Sequence, residues 1–286
     1  MSALFGVAGN STRFTETVSK ASADAPQWLR EIGLDAYEYQ CGKGIRVVRS
    51  TAELIGHNAA KAGIALSLHA PYFINLANPD PESVKKAIGY VTASCQAARW
   101  MGAKRIVIHS GALMKRSRGE ALRVAKENLA VIVRACDELG YGDLILCPET
   151  MGKVNQLGDL EEVLELCAVD ERLLPCVDFG HLYARSFGVL EGKAACVQML
   201  DRIADVLGEE RSAQFHSHFS KIEFTQKGGE KRHLSFFDPG YGPEFLPLAE
   251  ELARRGWEPW VICESAGTQS EDALSMKQIY REVCER

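Results

Sequence analysis

"RIVIHSGALMKRSRGEALRVAKENLAVIVRACDELGYGDLILCPE", residues 105–149, contains one full unit of the pattern that runs through the chain. It opens on a short apolar, β-rich run, 105–109, that ends in His109. The stretch 119–139 follows, with apolar residues at three- and four-residue intervals, the spacing of one helix face. A second β-rich run, 144–149, ends in Glu149. The unit reads strand, helix, strand, and each strand carries a polar side chain at its end.

The alternation continues in both directions. Further strands are expected at 4–9, 35–39, 64–69, 173–178, 214–219 and 259–264, and a further helix at 82–101. Eight strands in βα alternation have no linker-like break, and no G-x-G-x-x-G follows the first of them. That predicts an α/β chain folded as a single (β/α)8 TIM barrel over residues 1–286, rather than an open doubly wound sheet.

Composition bounds the function. The 286 residues are 46% hydrophobic and 25% charged, without a charge run, as expected of a soluble globular chain. No stretch approaches a membrane span, and the opening residues form no signal peptide. Nine cysteines are scattered and never in C-x-x-C spacing, several within apolar runs. Buried, reduced thiols and a cytoplasmic location are the expectation. The net charge of −5 argues against a nucleic-acid partner unless bound cations reverse the local sign.

Where the polar residues fall matters more. In six consecutive strands the last or near-last residue is His69, His109, Glu149, Asp178, His216 or Glu264. A (β/α)8 barrel builds its site from the C-terminal ends of its strands, so these six are expected at one mouth. One such residue is ordinarily a helix cap, but six in register are not. Imidazole with carboxylate is the ligand set of Zn2+ or Mn2+, and one tetrahedral ion needs fewer, so a multinuclear site is expected. His181 comes three residues after Asp178. "HSHFSKIEFTQKGGEKRH", 216–233, can be read as a metal site, a basic loop, or a strand with a solvated hairpin. The other strand ends favour metal, with His233 returning to the mouth after "KGG" and with basic residues around it.

With these motifs assembled, residues 63–265 resemble the endonuclease IV family, zinc-dependent apurinic/apyrimidinic endonucleases on a (β/α)8 barrel. "HAPYFINLANP" (69–79), "VIHSG" (107–111) and "PETMGKVNQLGDLEEV" (148–163) are similar to the family's motifs in their order. So are "CVDFGH" (176–181), "HSHFSK" (216–221), "KRH" (231–233) and "CES" (263–265). The resemblance implies two to three zinc ions, with manganese an alternative. His69, His109 and Glu149 would hold the first. Glu149 would bridge to a second, completed by Asp178, His216 and Glu264, and His181 with His233 would hold the third. His218 stands where the family has Asn, leaving it either behind the ligands or among them. Lys231 stands where the family has a ligating Asp, leaving Glu230, Glu223 or His218 to substitute. "VAGNS" lacks the family's early histidine.

The implied activity is incision of double-stranded DNA 5′ to abasic sites, leaving a 3′-hydroxyl, by a monomer with no membrane or obligate protein partner. Glu149 and Glu264 would be the catalytic carboxylates, Glu264 as proton acceptor. Tyr72 and Phe73 would wedge into the duplex, and Lys115, Arg116, Arg118 and Arg232 would meet phosphates, with Lys221, Lys227 and Lys231 adding charge. Two rivals stand beside this. One is a sugar isomerase or epimerase using Mn2+ or Mg2+ on the same barrel. The other is a non-catalytic protein that binds metal or damaged DNA.

Overall fold

The computed structural model describes residues 3–286. Its strands are β1 (Leu4–Ala8), β2 (Ala36–Gln40), β3 (Ala65–His69), β4 (Arg105–His109), β5 (Ile145–Glu149), β6 (Cys176–Asp178) and β7 (His216–Phe219). β8 (Lys221–Thr225), β9 (Gly229–Leu234) and β10 (Trp260–Cys263) follow. Eight of them close a parallel barrel in the order β1-β10-β7-β6-β5-β4-β3-β2, while β8 and β9 form a separate antiparallel hairpin. This is the (β/α)8 TIM barrel that the alternation predicts, and every expected strand contributes. β6 is the shortest, paired to β5 through Glu149 and Cys176 alone.

The expected helices appear as Pro81–Met101 and Arg118–Glu138, with capping chemistry at their ends. Asp80 accepts the Ser83 N–H at the start of the first, with Pro81 at its first position, and Gly102 closes it in the left-handed conformation. Ser117 and Glu120 form a reciprocal capping box on the second. Among the described residues no helix is long and apolar enough to cross a membrane. All nine cysteines are free thiols, and only Cys284 is exposed.

The main core lies between barrel and helices. The barrel interior is different. Side chains alternate along a strand, so β4 points Arg105, Val107 and His109 inward. The inward apolar residues fall into two small clusters, one around Val107, Cys147, Leu174 and Cys176, the other around Ala8, Ala36 and Ile262. Glu38, Ser67, His216 and His218, all fully buried, share that interior. The N-terminal end is closed by Arg105, whose guanidinium lies 4.4 Å from the Trp260 ring centroid and donates to the Gln214 and Phe215 carbonyls.

Gly6 marks how tightly β1 meets β2. A Cβ there would lie 2.3 Å from the Ala36 carbonyl oxygen, which is backbone and cannot yield. Gly6→Ala should therefore destabilise the barrel by about 1–3 kcal/mol, read as a lower midpoint in urea unfolding. An unchanged midpoint would show that β1 and β2 can separate at no cost.

Candidate metal centre

Glu149 ends β5 with its side chain only 1% exposed. Its Oε2 lies 3.2 Å from His69 Nε2 and 3.4 Å from His109 Nε2. Its Oε1 lies 3.1 Å from His218 Nδ1 and 3.5 Å from His181 Nδ1. Ligand atoms around a tetrahedral ion with bonds near 2.0–2.1 Å are spaced about 3.3 Å apart, so these are the separations of a coordination shell. Three groups of ligand-type residues gather at the mouth: His69, His109 and Glu149; Glu149, Asp178, His218 and Glu264; His181, Glu230 and His233. In each, the ligand-type atoms all lie within 4.8 Å of one another. The first two groups share Glu149.

The rings are oriented from behind. A carbonyl oxygen only accepts, so His69 Nδ1 donates to the Ala70 carbonyl (2.9 Å), and Nε2, which meets Glu149 at 3.2 Å, is the atom that the neutral ring would offer to an ion. His181 Nδ1 donates to the Thr150 carbonyl (2.8 Å), leaving Nε2 3.5 Å from Glu230 Oε2. Such backbone partners fix the tautomer of metal-binding histidines. Asp178 tests whether the cluster suits a cation. Its Oδ1 accepts the His181 N–H at 2.7 Å, while its Oδ2 is buried without a hydrogen-bond partner. Burial pushes this carboxyl above the usual range. An orphaned carboxylate oxygen beside imidazole lone pairs fits a divalent ion.

Burial and the clustered carboxylates set the charge of these groups in opposite directions. Burial drives His109 down to about 4, outweighing Glu149, which favours the neutral ring that ligates metal. Burial also opposes ionisation of Glu264, yet His218 and His233 hold its carboxyl at about 2. His181 is likewise opposed by burial, but Asp178, Glu230 and Glu149 lift it to about 9.

His216 is not where the resemblance placed it. β7 points residues 216 and 218 to the same interior face, and His218, two residues nearer the mouth, joins Glu149, Asp178 and Glu264. His218 Nδ1 lies 3.4 Å from Glu264 Oε2 and 4.0 Å from Asp178 Oδ2. His216 lies one layer deeper, grouped with Cys176, and its Nε2 is 3.0 Å from Glu38 Oε2. The strand ends of the other five positions coincide with the mouth; that of β7 overshoots by two residues.

The third group is completed by Glu230, not by the position of Lys231. On β9, Arg232 pairs with Glu223 and Glu230 with Phe224, so Lys231 is the extra residue of a β-bulge. Residues three apart on a regular strand face opposite ways. The bulge brings Glu230 and His233 onto one face, toward His181. Lys231 turns out and pairs with Glu223 Oε1 at 2.5 Å.

Several expected DNA contacts have other partners. The Arg118 guanidinium binds both oxygens of Glu162 and the Val154 and Gln156 carbonyls, which ties down the loop after β5. Arg232 is paired with Glu223 at 2.6 Å, and Lys221 with Glu244 at 2.8 Å. Lys115 is exposed in the left-handed region (φ 65°), next to Met114 in the same conformation (φ 51°). Arg116 is half-buried, its Nη1 without a partner. Tyr72 lies over the ligands, stacked on His109 at 5.1 Å, and Phe73 is exposed at the rim against Tyr90.

Glu38 was not singled out in the sequence. Both its oxygens are engaged from inside the barrel: Oε1 by His218 Nε2 (3.0 Å) and Gln40 Nε2 (3.1 Å), Oε2 by His216 Nε2 (3.0 Å) and Ser67 Oγ (2.9 Å). Burial opposes its charge, but the two imidazoles hold its carboxyl well below the usual range. The available signal was a carboxylate in mid-strand within "DAYEY", at an inward position. The mouth itself opens into a cavity of about 530 Å3, and Lys153 is the single Lys or Arg among its lining residues.

The family described as "Xylose isomerase-like TIM barrel" matches residues 26–284. An uncharacterized protein of Methanocaldococcus jannaschii is 33% identical over 250 residues, 87% of this chain and 88% of that protein. A probable endonuclease 4 of Streptomyces avermitilis is 30% identical over 227 residues, 77% of this chain and 71% of that protein. Among solved structures, a D-tagatose 3-epimerase-like protein superposes with a TM-score of 0.72 at 20% identity, covering 99% of this chain and 97% of its own. Endonuclease IV from Thermus thermophilus superposes with a TM-score of 0.70 at 19% identity, covering 99% of both chains. At those identities the two structures establish the shared fold alone. The chain belongs to the xylose isomerase-like TIM barrel family and, within it, resembles the endonuclease IV proteins.

Proposed function

We propose that this protein is a metal-dependent DNA-repair endonuclease that cleaves the phosphodiester 5′ to abasic sites in duplex DNA and leaves a 3′-hydroxyl. The carrying observation is Glu149, shared between two ligand groups beside a third built on His181, Glu230 and His233. Zinc suits this imidazole-rich set, in two or three ions, with manganese the alternative. Bound there, the ions would acidify water and neutralise charge on the phosphoryl oxygens.

The chain's own residues do the rest. Glu149 and Asp178 hold negative charge at the centre. Glu264, at 14% exposure the most open carboxylate of its group, is the candidate to take a proton at the cavity side. Lys153 offers a cation to a substrate phosphate. Its backbone is held by Arg185, which donates to the Met151, Lys153 and Gln156 carbonyls, so only the side chain is free to adapt. Tyr72 and Phe73 present aromatic surface at the rim, suited to entering a gap left by a missing base. Lys115 is an exposed cation on a strained loop whose Met114 meets Asn75, three residues after Tyr72.

Epimerisation of a ketose sugar is the second reading, favoured by the shared fold of the D-tagatose 3-epimerase-like protein. A neutral sugar, however, gives Lys153 no anion to meet and needs fewer ligands than three groups provide.

Purified metal-loaded protein should incise a duplex carrying a tetrahydrofuran abasic analogue. Glu149→Ala and Glu264→Gln should each reduce the rate at least about 100-fold, more than the loss of an outer partner costs. Near wild-type rates in either variant would sink the mechanism, and ketose epimerisation without incision would favour the second reading. Lys153→Met should raise KM with kcat retained, because uniform binding is what it removes. A fall in kcat alone would mean that Lys153 acts in the chemistry.

Metal stoichiometry separates the neighbours on the bulge. Glu230→Ala should lose one ion per chain, while Lys231→Ala should lose none, as read by elemental mass spectrometry. The reverse result would place the ligand at Lys231's position after all.

A further inference from the structure

We infer that Glu38 is a positioning residue that locks both histidines of β7 from behind, presenting His218 by its Nδ1 to the group of Glu149, Asp178 and Glu264. The inference rests on the metal-binding reading of that group. Its geometry is independent of the reaction.

A carboxylate has about four lone-pair sites. At Glu38 all four neighbours lie within hydrogen-bond distance: Gln40 and Ser67 side chains and the Nε2 atoms of His216 and His218. No acceptor site is left for an ion, which separates Glu38 from Glu149, Asp178 and Glu264. An ionised carboxylate only accepts, so both imidazoles donate from Nε2. His218 is then left with a lone pair on Nδ1, the atom 3.1 Å from Glu149 and 3.4 Å from Glu264.

His216 shows the same lock from its other side. Its Nδ1 is buried without a partner, so its bond to Glu38 is the one side-chain hydrogen bond that orients the ring. The strands concerned are not neighbours: β1 and β10 lie between β2 and β7 in the barrel. Glu38 therefore reaches across the interior, while Ser67, its register partner on β3, steadies it from the adjacent strand.

The conservative test is Glu38→Gln. An amide offers one acceptor oxygen and one NH2, so the NH2 would confront an Nε2–H and one ring must turn. In Zn2+ titrations of metal-stripped protein followed by elemental analysis, E38Q should bind one ion about 10–100-fold more weakly and leave the others unchanged. The same variant loaded with Co2+ should lose part of the visible absorption band intensity. If E38Q binds every ion as the wild type does, the proposal is overturned. Should the variant fail to fold, 15N NMR of the Zn2+-loaded wild-type protein decides. His218 must show a protonated Nε2 and a metallated Nδ1, and a metallated Nε2 would overturn the lock. Wild-type protein that binds no Zn2+ would overturn both this inference and the metal reading, whereas bound Zn2+ without incision would overturn only the proposed reaction.

Discussion

A carboxylate buried as deeply as Glu149 cannot stand alone, because the energy of an unpaired charge in a protein interior exceeds most of what packing provides. The chain surrounds it with four imidazoles, from β3, β4, β7 and the helix after β6, which donate to it when protonated or share a cation with it when neutral. A closed parallel barrel is well suited to the task. Its strand ends finish at one level, and its interior rows repeat every second residue, so side chains far apart in sequence arrive at one height. The polar mouth and the mixed interior below it follow from that single requirement.

Outside the barrel, rigidity is concentrated where the third group needs it. The loop after β5 is held from one side by Arg118 and Arg185 and from the other by the hairpin, through Glu230 N–H to the Gly152 carbonyl and Val154 N–H to the Gly228 carbonyl. Gly229 permits that approach: it lies at positive φ, and a Cβ there would sit 2.3 Å from the Gly152 oxygen. Glu230 is thus anchored through its own N–H and through the turn that precedes it.

The fold was legible in the sequence because βα periodicity is a local signal, repeated eight times. His69, His109, Glu149, Asp178 and Glu264 were legible for the same reason: each closes an apolar run, and each comes to the mouth. His216 and His218 were not separable, because both lie on one face of one strand and only the depth of β7 in the barrel distinguishes them. Glu230 was hidden by a bulge, which changes facing without changing composition. Arg118 looked like a free basic side chain until Glu162, 44 residues on, was brought beside it. Glu38 depends on β7 lying opposite it, a relation that no local pattern contains.

The Lys231 bulge makes the third group modular. Hairpin β8–β9 sits outside the barrel ladder, so adding or removing one residue in β9 would turn Glu230 or His233 outward without disturbing a single barrel strand pair. Related chains could gain or lose a three-residue ligand set by one codon's insertion or deletion. The spacing of ligands in this hairpin is therefore a poor guide to ancestry, and facing in three dimensions is the better character for comparing members of the family.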